Sequence, residues 1–295
     1  MNGLYMRCTI GLVALAMSVA CTSELEHDEP SRIPRSPRYR SLLDQAADDA
    51  LPIASGEQMV VFRDWRNGHD PTKPCPAEMA LVAGSYCVDR WEGSLVEITP
   101  YGERPFPPTH RVGDRLVRAR SVAGVMPQAY LSGAEAQRAC EMAGKRLCTQ
   151  WEWWRACAGA KKQIFPYGTV RVERRCNEQR PLHPVMQLYG ANAGPGVWYV
   201  EPMNNPAINE QSATVAVCGA RRECVTEDGL FDMVGNVHEW TSDPAGTFQG
   251  GAYSGNIALG CQYITTAHRF SYHDYSTGFR CCSEPYGQPS SEQPQ

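Results

Sequence analysis

Apolar positions are spread unevenly along the 295-residue chain. A dense run from Thr9 to Ala20, with Arg7 ahead of it, is too short to cross a bilayer as a helix, so residues 1–20 read as an export signal. From Thr22 to about Ser55 acidic, basic, Pro and Ser residues dominate, and only Leu42 and Leu43 are spaced for a short helical turn. Residues 21–59 are therefore expected to form a mobile stalk. Residues 60–282 show no internal repeat and no compositional break, which predicts one domain. Residues 283–295, rich in Pro, Ser, Gln and Gly, predict a disordered tail.

Inside the body, Met79 to Val88 and Leu116 to Val122 have the composition of strands. Ser132-Gly133-Ala134-Glu135 and Thr149-Gln150-Trp151-Glu152 each place a hydroxyl at a helix N-cap with a glutamate three residues later. That reciprocal arrangement satisfies two orphaned backbone donors and contributes about 1 kcal/mol per cap. The first helix should run to about Met142 and stop at Gly144. The second should carry Trp151, Trp154 and Cys157 on a buried face and stop at Gly159. From Phe165 onward, Pro-Tyr-Gly turns, Asn192 to Gly196 and Asn204-Asn205-Pro206 predict long irregular loops, which need covalent links or bound cations to hold them.

Composition adds the compartment. With 42% hydrophobic and 20% charged residues the chain can bury a sizeable core, and a net charge of −4 from interspersed acids and bases excludes the basic footprint of a nucleic-acid binder. Thirteen cysteines imply an oxidising environment. Met17-Ser18-Val19-Ala20-Cys21 is similar to the bacterial lipoprotein signal, in which the cysteine is acylated and becomes the new N-terminus, although Ser18 stands where leucine is usual. Acylated Cys21 would tether a monomeric domain to a membrane surface. Thr22 is not the aspartate associated with inner-membrane retention, so the expected location is the cell envelope: lipid-anchored at the outer membrane, or else periplasmic or secreted.

Setting aside Cys8 and Cys21 leaves 13 − 2 = 11 cysteines, an odd number, so at least one is unpaired. Spacing favours Cys75 with Cys87 across a hairpin and Cys218 with Cys224 around Gly219 to Glu223. Cys140, Cys148, Cys157, Cys176, Cys261, Cys281 and Cys282 cannot be connected from spacing. Only the vicinal Cys281-Cys282 is close enough for a zinc ribbon, which rejects one.

Three stretches together resemble the formylglycine-generating enzyme (sulfatase-modifying factor) family. They are Ser132-Gly-Ala-Glu-Ala-Gln-Arg-Ala-Cys140 with Ala143 to Leu147 and Thr149 to Cys157; Gly229-Leu-Phe-Asp-Met-Val-Gly-Asn-Val-His-Glu-Trp-Thr-Ser-Asp243; and Gly250-Gly-Ala-Tyr253 continuing to Arg269 and Gly278-Phe-Arg-Cys281. The resemblance implies one loop-rich α+β domain related to the C-type-lectin-like fold, low in regular structure and held by disulfides and calcium. It implies a Cys140–Cys281 bond and a calcium site with carboxylates from Asp232 and Glu239 and carbonyls from Gly235 and Val237. Asn177 would match a ligand of a second calcium site.

The family archetype uses oxygen to oxidise a client sulfatase cysteine to formylglycine, with two cysteines that hold copper(I) in aerobic enzymes. Cys261 falls where the second belongs, whereas Gly255 and Asn256 occupy the place of the first. Ala252 replaces a family serine, and His238 a family tryptophan. A lone thiolate holds copper(I) weakly, because a linear site needs two soft sulfurs. Two functions follow. One is an active oxidase with Cys261 as its catalytic residue. The other, favoured by the three altered positions, is a binding module whose cleft (His238, Arg269, Tyr253) takes a sulfatase-like client, a peptide, a glycan or an envelope partner. For Cys261 the competing structural role is a disulfide with Cys157, Cys148 or Cys176. The aromatic residues Trp198, Tyr199, Tyr253, Tyr263, Tyr272 and Tyr275 could line such a cleft or simply fill a loop-dominated core.

Overall fold

Three small sheets carry the strands of the computed structural model, which describes residues 72–255 and 258–287. The expected export signal, the expected acylation site Cys21 and the expected stalk lie outside these described residues. The first strand-like run is a hairpin, β1 (Met79–Val82) and β2 (Tyr86–Asp89), turned at Ala83 and Gly84, both at positive φ. Cys75–Cys87 closes its base. β3 (Gly93–Thr99) lies between β4 (Gly102–Pro105) and β5 (Val117–Ser121) in a second, antiparallel sheet.

Both capping boxes are present. Ser132 opens α1 (Gly133–Met142) and Thr149 opens α2 (Gln150–Ala158), which ends at Gly159 with φ 65°. Between them lies β6 (Arg146–Leu147). Helix α1 presents Ala136, Ala139 and Cys140 to a core that includes Leu95, Ala119, Trp240 and Phe279. Gly133 is required there, since a Cβ would stand 2.2 Å from the Phe270 ring. In α2 the buried face is Trp153, Ala156 and Cys157, while Trp151 is 60% exposed. The face predicted from Trp151, Trp154 and Cys157 is thus rotated by roughly a quarter of a turn, so that Cys157 stays buried and Trp154 is half-buried against the core.

The expected irregular stretch holds only short helices, α3 (Pro184–Tyr189) and α4 (Val200–Met203), with 3-10 turns at 195–198 and 206–208. After it come β7 (His238–Trp240), β8 (Phe248–Gln249), β9 (Ile264–Thr265) and β10 (Thr277–Phe279), in a sheet of order β10-β7-β8-β9 with β10 parallel to β7. β11 (Cys281–Ser283) joins the first sheet between β2 and β6. The predicted tail therefore starts too early. Ser283 is buried in β11 and Glu284 accepts a hydrogen bond from Arg146 at 2.8 Å.

Among the described residues five disulfides are formed, Cys75–Cys87 within the hairpin and Cys140–Cys281, Cys148–Cys282, Cys157–Cys261 and Cys176–Cys224 between segments farther apart. Successive side chains in a strand point to opposite faces, so the vicinal Cys281 and Cys282 reach two different partners, Cys140 on α1 and Cys148 ahead of α2. The Cys218–Cys224 pairing is incorrect. Cys224 bonds Cys176, and Cys218 is the free, buried thiol left by the odd count. Short sequence spacing favoured the local pair, but the long 165–237 loop folds back and brings Cys176 to Cys224 instead. The single loop-rich α+β domain is what the three stretches implied, and its disulfides are consistent with an oxidising compartment. Among the described residues no helix is long and apolar enough to cross a membrane.

Candidate functional site

The turn leading into β7 is built from left-handed residues. Asp232, Gly235 and Asn236 have φ of 56°, 84° and 57°. Only glycine fits at 235, because a Cβ there would meet the Asn177 carbonyl oxygen at 2.3 Å. Asn236 uses its whole amide: Nδ2 donates to Glu92 Oε2 (2.6 Å), and Oδ1 accepts from Asn177 Nδ2 and Ala216 N (both 2.8 Å). Asn177, expected at a separate site, thus packs directly on the Gly235–Asn236 turn.

Beneath this turn lies a buried charge cluster. Glu239 receives Arg280 through Nε at 2.5 Å and a terminal guanidinium nitrogen at 2.6 Å, and Trp153 Nε1 at 2.6 Å. Asp232 Oδ2 accepts from Gly219 N at 2.6 Å. Burial pushes the Asp232 carboxyl up to about 6, against the Gly219 amide and Arg280, which pull it down. Glu92 is driven well above the carboxylate range by burial and then by the charges of Asp232 and Glu239. Glu92 and Arg280 had not been singled out from sequence. Arg280 stands as a lone charge among Gly278, Phe279, Cys281 and Cys282, whereas Glu92 sits in the charged run Asp89-Arg90-Trp91-Glu92 and carries no local signal.

Of the expected first-site ligands Asp232, Gly235, Val237 and Glu239, the Glu239 carboxylate as arranged is not free for calcium. Both Glu239 oxygens are held by Arg280, so a cation there would displace a guanidinium from a buried ion pair. Among the described residues no group of three His, Cys, Asp or Glu side chains converges as metal ligands.

The thiol pair for copper(I) is not formed either. Cys261 is bonded to Cys157, with a Cα–Cα distance of 5.5 Å, which corrects the expectation of a catalytic thiol. Cys218 lies against Glu92 and is buried, with its thiol pushed far up by burial. His238 packs between the rings of Phe248 (4.6 Å) and Tyr263 (5.5 Å), and burial holds its imidazole down at about 3. Arg269 is exposed beside His268, which stacks on Phe248 at 5.7 Å. Tyr253 is fully buried, its hydroxyl donating to Asn209 Oδ1 at 2.7 Å. The expected cleft residues therefore separate into an aromatic stack around His238 and Phe248 and a buried position at Tyr253.

Sequence reading missed a second polar grouping next to Tyr253. Tyr275 Oη lies 3.2 Å from Ser254 Oγ and 3.1 Å from His183 Nε2. Trp198 sets its edge against the His183 ring at 5.0 Å. Asn209, bound to both Tyr253 and the Tyr275 carbonyl, also lines a cavity of about 570 Å³ with Asn177, Gln211, Thr214 and Arg221. Nothing local to His183 announced this, beyond a proline following it at the start of α3.

Comparison with known proteins places this architecture. The chain is 29% identical over 183 residues to the inactive C-alpha-formylglycine-generating enzyme 2 of Bos taurus, covering 56% of this chain and 52% of that protein. It is 33% identical over 118 residues to the formylglycine-generating enzyme of Mus musculus, covering 40% of this chain and 27% of that one. The chain spans about half the length of the first of these relatives. The solved structure of PvdO from Pseudomonas aeruginosa aligns over 68% of this chain and 80% of its own, at 13% identity and a TM-score of 0.42. The sulfatase-modifying factor enzyme 1-like domain matches residues 107–285, more than half of the sequence, and the chain belongs to that family.

Proposed function

We propose that this chain is an exported, divergent member of the sulfatase-modifying factor family that binds a peptide, glycan or envelope partner and does not oxidise cysteine. The observation that carries the reading is the Cys157–Cys261 disulfide, together with glycine at position 255. Copper(I) chemistry of the archetypal kind needs two soft thiolates at one place. Here one sulfur is consumed in a disulfide, the other is missing, and the free thiol among the described residues, Cys218, is buried, which disfavours its thiolate. Similarity to relatives named as inactive supports the same direction. Calcium has no part in this proposal, and the partner is held by preformed loops.

Export through residues 1–20 and acylation at Cys21 belong to the same proposal. An anchor of this kind would place the domain at the envelope surface, where a recognition module meets its partner. The test is an incubation of the purified domain with copper(I), oxygen and a cysteine-containing sulfatase peptide. The peptide is expected to keep its thiol mass; conversion to an aldehyde, read by mass spectrometry, would overturn the reading in favour of the oxidase.

A further inference from the structure

The grouping around His183 offers a ligand two kinds of surface at once. Trp198 and Tyr199 are 47% and 68% exposed, so two large ring faces stand in solvent on adjacent residues. Beside them runs the hydrogen-bond chain Ser254–Tyr275–His183, with Ser254 and His183 both half-buried. Two polar atoms at this place are buried with no partner among the described residues, His183 Nδ1 and Gln211 Oε1. They belong together, because Gln211 Nε2 donates to the carbonyl of Pro184, the residue after His183. A buried polar atom without a partner costs about 1–3 kcal/mol; both atoms are enclosed, so they mark polar ground beneath the exposed rings and do not themselves face a ligand.

The surroundings narrow the ligand. Arg180, the nearby cation, spends its guanidinium on the carbonyls of Ala213, Leu182 and Ser212 and on Gln187 Oε1, so it is not offered to an anion. Burial, followed by the Arg180 charge, holds His183 below the ordinary imidazole value, which keeps the ring neutral. A peptide strand finds no edge at Tyr253 or Gly255, whose carbonyls already accept from the amides of Arg180 and Gln179 at 3.0 and 3.2 Å. What remains is a neutral ligand with an apolar face and many hydroxyls. A pyranose has this form: its C–H face lies on an aromatic ring, and each hydroxyl both donates and accepts.

We infer that the Trp198–Tyr199 ring faces and the Ser254–Tyr275–His183 chain form a binding site for a neutral glycan. This rests on the binding-module reading and specifies its ligand class. The experiment titrates the purified domain with cellopentaose, maltopentaose and laminaripentaose, and in parallel with an oligogalacturonate and an alanine pentapeptide, by calorimetry and tryptophan fluorescence. At least one neutral pentasaccharide is expected to bind saturably, with affinity falling by about tenfold or more in W198A and in H183A. Tyr199→Ala serves as the second variant if W198A loses its folded far-ultraviolet spectrum. Binding by the anionic oligomer or the peptide alone, binding untouched by W198A and Y199A, or no binding by any of the three neutral probes overturns the glycan assignment. None of those outcomes produces an aldehyde in the cysteine-peptide assay, so failure here and failure of the binding-module reading are told apart.

Discussion

At the scale of single residues, the positions most visible in the sequence took roles set by partners far along the chain. Glu239 has the chemistry of a cation ligand, yet its partner is Arg280, 41 residues on, and no local pattern encodes that pairing. His238 packs against the rings of Phe248 and Tyr263. Its folded pKa near 3 lies below the ordinary 6.5, so between those values the unfolded chain binds the extra proton. The stability this neutral ring supplies is complete above pH 6.5 and is lost as pH falls toward 3. Its Nδ1 is also buried without a partner among the described residues. H238F removes both effects while keeping an aromatic ring. The variant is expected to be more stable than the parent by about 1 kcal/mol at pH 7, with the gap widening by roughly 1–2 kcal/mol at pH 5. Urea unfolding at the two pH values reads this, and a gap that stays constant would remove His238 as its source.

At the scale of elements, what depends on neighbours in sequence was legible and what depends on distant neighbours was not. Both capping boxes and the β1–β2 hairpin follow from residues within a few positions of one another. Strand β11 lies between β2 and β6, and that placement rests on segments more than a hundred residues apart. Helix α2 shows the boundary clearly. Both triples, 151/154/157 and 153/156/157, satisfy helical spacing, so periodicity could not choose between them. The choice is made by the indole N–H of Trp153, which donates to Glu239 in the buried ion-pair cluster. The cap itself remains a local matter: Thr149 Oγ1 accepts from Glu152 N at 3.2 Å, and Glu152 returns the bond to Thr149 N at 2.8 Å. T149A is therefore expected to lower unfolding free energy by about 1 kcal/mol, whereas T149S stays near the parent. An equal loss in both variants, measured by urea denaturation, would assign the effect to the threonine methyl group and not to the cap.

At the scale of the whole molecule, irregular backbone is held by links whose spans differ greatly. Cys140–Cys281 and Cys148–Cys282 close 141 and 134 residues, yet they run side by side between the same two regions. With one of them intact, the other restricts only a loop of about ten residues, while the last one removed frees a loop of about 35, because Cys157–Cys261 still ties the interior of the span. In the chain-entropy account, stabilisation grows with the logarithm of the loop closed, which gives about 2.7 kcal/mol for the short loop and about 3.8 for the longer one. The pairs C140S/C281S and C148S/C282S are thus expected to cost about 2–3 kcal/mol each. Removing all four thiols should cost about 1 kcal/mol more than the sum, a coupling measurable in a double-mutant cycle. Additive losses would mean that the two bonds act independently, through local packing at each sulfur pair. Cys75–Cys87, which closes only 12 residues and shares no span with the others, supplies the comparison, since its loss should add to either pair without coupling.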